Sequence, residues 1–116
     1  MEIDGGFKRK LCYITTAVCE SLGKSDDCYE LKTLREYRDN YLLSSADGTS
    51  IVEQYYNVAP TIVNRINKSE DAGKIYGMIF RDYISPCISM IEAGNKEGCK
   101  ELYSDMVNNL ENEYMR

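Results

Sequence analysis

Five cysteines are the residues with the widest chemical range in this 116-residue sequence. Cys12 and Cys19 lie seven residues apart in the first apolar run, so on a helix both thiols would share one face. With Cys28, and with Cys87 or Cys99 as a fourth ligand, they could form a tetrahedral zinc site. The spacings lack the close Cys-x2-Cys pairs of such sites, and free cysteine is usually a small buried residue. We therefore predict no metal and no cofactor, and assign the thiols to packing.

Cys12 could instead act as a nucleophile, because it stands at the start of a predicted helix, where the dipole favours a thiolate. Three basic residues, Lys8, Arg9 and Lys10, precede it. The sequence contains no histidine, which excludes Ser-His and Cys-His nucleophiles, imidazole bases and His metal ligands. A structural Cys12 is therefore favoured, and a thiol enzyme is the last of the functional hypotheses. We predict that the protein is not an enzyme.

A charged cluster, Arg35, Glu36, Arg38 and Asp39, lies within one predicted helix. In one interpretation Arg35 and Arg38 bind an anion or a protein partner. In the favoured alternative Arg38 is buried and pairs with a carboxylate or with helix carbonyls, so that it fixes how two helices pack. Arg38 lies at the centre of an apolar stripe, where an unpaired charge would be strongly destabilising.

Tyrosine supplies most of the aromatic surface, with ten copies against two phenylalanines and no tryptophan. Tyr55 and Tyr56 are adjacent, so on a helix they diverge by about 100 degrees and one of them points away from the core. An outward tyrosine is a good anchor for a protein partner. We therefore take Tyr55 and Tyr56, with Arg35 and Arg38, as candidate binding residues.

Length, composition and charge limit the function classes. A chain of 116 residues with 43% hydrophobic and 28% charged residues is typical of one globular domain. Its net charge of -5 repels phosphate groups, so we expect neither direct nucleic-acid binding nor membrane binding. No apolar leader segment follows the charged start, so we predict a cytoplasmic location in which the cysteines stay reduced.

The apolar spacing predicts an all-α, single-domain bundle of about five helices. Residues 1–10 are expected to form a flexible lead-in, and residues 11–116 one helical domain. The predicted helices span residues 11–22, about 27–43, 50–67, 74–93 and 96–114. Asp27 and Glu30 have the spacing of a capping box at the start of the second helix.

Two prolines and one very apolar segment refine this bundle. Pro60 and Pro86 each remove a backbone donor, so the third and fourth helices should be kinked. The segment 74–93 is apolar on nearly every side, which predicts a central helix buried all round. Gly77 in this segment should let a neighbouring helix approach closely.

The run Cys12-Tyr13-Ile14-Thr15-Thr16-Ala17 resembles the signature of the CFI-box domain, whose pattern is Cys, aromatic, Ile, small, Thr, Ala. This small bacterial module is usually found at the C-terminal end of longer proteins. Residues 34–39 with Tyr41-Leu42, and Tyr55-Tyr56 with Ala59-Pro60, resemble its later blocks, so the likeness covers residues 11–62. It departs after Ala17, where Val18-Cys19 replaces an aromatic-Gly-Ser ending. The resemblance implies a helical domain of bacterial origin, and it implies no chemistry. We take Cys12, Tyr13, Ile14, Thr15, Thr16 and Cys19 as the structural motif of the first helix.

The leading hypothesis is a non-enzymatic protein-interaction module of bacterial or phage type that binds another protein. In a special case it is an acidic inhibitor whose carboxylates mimic phosphates and cover the surface of a nucleic-acid-processing protein. The carboxylates considered for this role are Asp47, Glu53, Glu70, Asp71, Glu111 and Glu113. The alternative is a small-ligand or metal-binding domain that uses the Cys and Arg clusters. Both hypotheses are compatible with a homodimer.

Overall fold

The computed structural model describes residues 13–25 and 27–115, and this part of the chain is helical without a strand. The α-helices are α1 (Tyr13–Ser21), α2 (Tyr29–Asn40), α3 (Ala46–Asn67), α4 (Ala72–Ile79), α5 (Ser85–Glu92) and α6 (Lys96–Tyr114). A 3-10 turn (Leu42–Ser44) joins α2 to α3, and a π-helical turn (Phe80–Ile84) joins α4 to α5. The predicted all-α bundle is confirmed. The predicted lead-in, residues 1–10, and Cys12 lie outside the described residues.

In the connection between α1 and α2, the observed end of α1 agrees with the sequence prediction, and the observed start of α2 differs from it. Gly23 has a φ of +77°, the left-handed conformation in which glycine ends a helix, as predicted. The predicted capping box is wrong: Cys28 is the N-cap residue of α2, and its side chain makes no cap hydrogen bond. Glu30 instead pairs with Lys24 across the turn, with 3.4 Å between Nζ and Oε2.

The start of α3 differs from the prediction, because Ser45 caps the helix before the predicted Ser50. Ser45 Oγ accepts a hydrogen bond of 3.1 Å from the Gly48 backbone N–H. Gly48, which we predicted in a turn, therefore lies in the first helical turn. A Cβ at Gly48 would stand 2.0 Å from the carbonyl oxygen of Leu42 in the 3-10 turn. The backbones of α3 and the 3-10 turn meet here without room for a side chain.

The two prolines have different surroundings. α3 runs from Ala46 to Asn67 without interruption, and Pro60 lies on its exposed side. In the fourth predicted helix the chain changes from α to π before Pro86: the Ser85 N–H donates to the Phe80 carbonyl, five residues back. Because Pro86 has no N–H, the α-helical bond to the Asp82 carbonyl cannot form, and the wider turn accommodates the missing donor.

The central helix is α3, which packs against α1, α4, α6 and the 3-10 turn. Its buried face consists of Gly48, Val52, Tyr55, Val58, Ala59, Ile62 and Ile66. Our prediction that residues 74–93 are buried all round is wrong, because Met78 is 46% exposed and several of the other apolar side chains are half-buried. Gly77 does not mediate a close helix contact either, since nothing lies within 4 Å of a Cβ built there.

The last helix, α6, has the predicted bounds, because its capping signals are local. Gly94 has a φ of +80°, and the Asn95 side chain accepts a hydrogen bond of 3.0 Å from the Gly98 N–H. α6 lies beside α3 and runs in the same direction. Gln54 of α3 reaches the middle of α6, and Arg65, near the end of α3, donates to the Tyr114 carbonyl at the end of α6.

Candidate functional site

The motif that carries the resemblance divides between two faces of α1. One face of α1 is buried in the bundle core, and it consists of Ile14, Thr15, Val18 and Cys19. Tyr13, Thr16 and Ala17 instead line a cavity of about 560 Å³ between α1, the end of α3 and α4. The Ile14 N–H, in the first turn of α1, donates a hydrogen bond of 2.8 Å to the Tyr55 hydroxyl. The described part of the motif therefore anchors α1 to the central helix.

The tyrosine pair has one buried and one half-buried member. Tyr55 is fully buried: its ring packs at 60° against Tyr103, with 5.6 Å between the ring centroids, and its hydroxyl is the acceptor for Ile14. Tyr55 therefore presents no surface to a partner in the folded chain, although we took it as a binding candidate. Tyr56 is half-buried on the same helix. The structure thus separates the two candidates by exposure.

The arginine cluster is also split by burial. Arg38 is 2% exposed, and its Nε donates a hydrogen bond of 3.0 Å to Asp39 Oδ1. The burial and the pairing with a carboxylate agree with the structural alternative, but Asp39 is the next residue of α2, so this contact does not join two helices. Arg35 is half-buried and Glu36 is exposed. The cluster does not form one open anion site, because Arg38 lies in the interior.

The described cysteines lie in two separate regions rather than in one metal centre. At the α1–α2 connection, burial and then the neighbouring Cys28 raise the pKa of Cys19 to about 12. Cys87 of α5 and Cys99 of α6 meet in the core, with 3.9 Å from the Cys87 Sγ to the Cys99 carbonyl oxygen. Within residues 13–25 and 27–115 no group of three or more Cys, Asp or Glu side chains is arranged to hold a metal ion. Among the described residues, Cys19 and Cys28 therefore have no third side chain with which to bind a zinc ion.

The most distinctive surface is an acidic face formed by α3 and α6. Its carboxylates are Asp47, Glu101, Asp105 and Glu111, and we call this set the α3–α6 acidic face. Our sequence analysis named Asp47 and Glu111 but missed Glu101 and Asp105, and the structure does not bring Glu53 to this face. The signal for them was present, because Glu101 and Asp105 are four residues apart in a helix that has no Lys or Arg from residue 101 to residue 114.

Polar contacts fix the two helices of this face to each other. Gln54 Nε2 donates to Asn108 Oδ1 and to Glu111 Oε1, each over 2.7 Å. A cleft of about 470 Å³ lies nearer the N-terminal ends of both helices, and its lining includes Asp47, Glu101 and Asp105. The face is therefore a fixed arrangement of carboxylates on two neighbouring helices.

The basic residues close to the acidic face are engaged in contacts. Lys100, which also lines the cleft, pairs with Glu97 over 3.2 Å, and its side chain is 16% exposed. Glu97 in turn accepts a hydrogen bond of 2.7 Å from the Tyr41 hydroxyl, and this bond together with Lys100 lowers the pKa of Glu97. Arg65 lies at the far end of α3 and donates to Tyr114. The hydrogen bond to Glu97, and beside it the charge of Asp47, raises the pKa of Lys100, so this lysine offsets part of the negative charge of the face.

No helix in the described ranges is both long enough and apolar enough to cross a membrane. Comparisons of the chain with family models, with curated proteins and with solved structures find no match. The resemblance to the CFI-box domain therefore stays a prediction from residues 11–62. The function must be argued from the geometry of the site.

Proposed function

We propose that the protein is a non-enzymatic, cytoplasmic protein-interaction module of bacterial or phage type, and that its α3–α6 acidic face binds a basic protein surface. The observation that carries the proposal is the placement of four carboxylates along two helices that are fixed to each other through Gln54. Surfaces with one sign of charge attract partners of the opposite sign and accelerate their association. A partner with a field of Lys and Arg is the matching chemistry.

A nucleic-acid-binding surface is the basic surface that this proposal names. Such surfaces bind rows of phosphates through Lys and Arg, and a row of carboxylates presents the same sign of charge. The acidic face carries its carboxylates on rigid helices, which reduces the entropy lost on binding. We therefore propose a nucleic-acid-processing protein as the partner, with the bound module covering its nucleic-acid site.

The test compares two charge-reversed baits with the unmodified chain in affinity capture from a lysate of the source cells. The face variant carries Asp47→Lys, Glu101→Lys and Asp105→Lys. The control variant carries the same change in net charge at exposed positions away from the face, Asp27→Lys, Glu36→Lys and Glu70→Lys. All six positions are exposed, so each substitution should change the free energy of unfolding by less than about 1 kcal/mol.

A captured protein supports the proposal when it is retained by the unmodified chain and the control variant and lost by the face variant. Its purified complex should then dissociate as salt is raised, and duplex DNA or RNA should compete for it. The face variant should weaken the measured Kd by roughly tenfold or more, since three charge contacts are replaced by repulsion. A partner that binds both variants equally, or one that nucleic acid does not displace, would contradict the proposal.

A further inference from the structure

The cavity of about 560 Å³ lies between α1, the end of α3 and the start of α4. Its volume is within the range of small-molecule sites, and it shares no lining residue with the cleft of the α3–α6 acidic face. α1 is fixed as one wall, because the Ile14 N–H donates to the Tyr55 hydroxyl of α3. The cavity is therefore a feature of the bundle itself, with walls on three helices.

Two tyrosines line the cavity from different helices. Tyr76 of α4 is 3% exposed, and its hydroxyl donates a hydrogen bond of 2.7 Å to Asn67 Oδ1 at the end of α3. The same hydroxyl lies 3.4 Å from the Val63 carbonyl oxygen. Tyr13 lines the cavity from the start of α1. The Tyr76 ring is thus held in place before any ligand binds, which reduces the entropy lost on binding.

The charge of the cavity comes from Glu20, near the end of α1. Among the described residues that line the cavity, Glu20 is the only charged one. Its charge acts on the α4 wall, since burial and, after it, the Glu20 carboxylate raise the pKa of Tyr76. The other described lining residues include three apolar side chains, Ala17, Val63 and Ala72. The cavity therefore combines one carboxylate, two aromatic rings and an apolar surface.

We propose that this cavity binds a small organic ammonium ion with an apolar body, and that the ammonium group lies beside Glu20 and the tyrosine rings. A tyrosine ring attracts a cation over its face, and a carboxylate adds a longer-range attraction. The apolar body would lie against Ala17, Val63 and Ala72, where its surface is removed from water. An anionic ligand would be repelled by Glu20, and a neutral one would gain nothing from its charge.

The experiment titrates the full chain with 2-phenylethylamine, which is a cation at neutral pH, and with its uncharged analogue 2-phenylethanol. Backbone amide shifts are followed by NMR. We expect the amine to bind with a Kd of roughly 1 mM, a reasonable affinity for about nine non-hydrogen atoms. The amides of Tyr13, Gly73 and Tyr76 should shift most. The alcohol should bind roughly fivefold more weakly, because it lacks the charge.

Two carboxylate variants test the role of the charge. Glu20→Gln should weaken binding of the amine roughly fivefold and leave binding of the alcohol unchanged, since it removes the charge and keeps the shape. Glu53→Gln is the matched control, because Glu53 is exposed on α3 and does not line the cavity. This control should leave both Kd values unchanged.

Two glycine variants test the place of binding. Gly73 lines the cavity, and no atom lies within 4 Å of a Cβ built there, so Gly73→Phe should occupy the cavity and abolish binding of both ligands. Gly77→Phe, one helical turn further along α4, is the control. A Cβ at Gly77 also has no atom within 4 Å, and Gly77 does not line the cavity, so both ligands should still bind.

Three results would overturn the proposal. One is equal affinity for the amine and the alcohol, and another is an equal loss of amine binding in Glu20→Gln and Glu53→Gln. The third is the absence of a saturable shift at about 10 mM amine, roughly ten times the expected Kd. Shifts confined to the α3–α6 acidic face would count as the third result. The proposed binding of a basic protein does not depend on this cavity, so each proposal can fail without the other.

Discussion

α3 and the segment from Ala72 to Glu92 have similar lengths and one proline each, yet they contribute differently to the fold. α3 is one uninterrupted helix that buries an apolar stripe against four other elements. The other segment is more apolar in sequence, but it is divided into α4, the π-helical turn and α5. It leaves Met78 46% exposed and lines a shallow groove against α6. The amount of apolar surface therefore does not decide which helix is central.

The spacing of the apolar residues explains this difference. In α3 they recur every three or four residues, so a single face can be buried while the opposite face stays polar. In the segment 72–92 the apolar residues surround the helix, and a bundle of this size has too few neighbours to cover all sides. The two glycines Gly48 and Gly77 reflect the same contrast, because one is enclosed by backbone and the other is open.

The largest expected effect comes from Gly48→Ala at the start of α3. The new Cβ would stand 2.0 Å from the Leu42 carbonyl oxygen, a backbone atom that cannot rotate away. Either α3 or the 3-10 turn must shift, which should lower the free energy of unfolding by about 3 kcal/mol. Urea denaturation measures this as a lower midpoint at an unchanged slope. An effect below about 1 kcal/mol would show that the junction is not tightly packed.

Pro60→Ala and Pro86→Ala compare the two helical segments at their prolines. Pro60 lies inside a continuous helix on its exposed side, so alanine restores a backbone donor to the Tyr56 carbonyl. Proline costs about 3 kcal/mol relative to alanine in a helix interior. The greater freedom of the unfolded alanine chain offsets up to about 1 kcal/mol of the gain. We expect Pro60→Ala to raise the free energy of unfolding by about 2 kcal/mol.

Pro86 follows the π-helical turn at the start of α5, where proline is well tolerated. Pro86→Ala should therefore change the free energy of unfolding by less than about 1 kcal/mol. Both variants are measured by urea denaturation under the same conditions. Equal stabilisation by the two substitutions would contradict the view that Pro60 destabilises α3 whereas the π-helical turn accommodates Pro86.

The sequence predicted those features of the fold that depend on neighbouring residues. Gly94 and Asn95 marked the start of α6, and the spacing of Val52, Tyr55 and Ile62 marked the buried face of α3. The sequence did not predict those features that depend on how separate elements pack together. The close approach of the Gly48 backbone to Leu42 depends on how the 3-10 turn packs against α3.

The candidate site was partly readable from the sequence for the same reason. Glu101 and Asp105 follow a local helical spacing and could have been found. Their placement beside Asp47 depends on α3 and α6 running side by side, which no local pattern encodes. The burial of Arg38 was one of two interpretations, and only the packing of α2 in the bundle separates them.

A small stabilising effect, opposite in sign to that of Gly48→Ala, is expected from Gly77→Ala in α4. No atom lies within 4 Å of the new Cβ, so alanine adds no clash. It removes the entropy cost of glycine in a helix, which should raise the free energy of unfolding by about 0.5–1 kcal/mol. Gly94→Ala is the matched control, since its φ of +80° is strained for alanine and the substitution should destabilise by about 1 kcal/mol. If Gly77→Ala destabilised the protein in urea denaturation, the segment 72–92 would be as closely packed as α3, and the contrast between the two regions would fail.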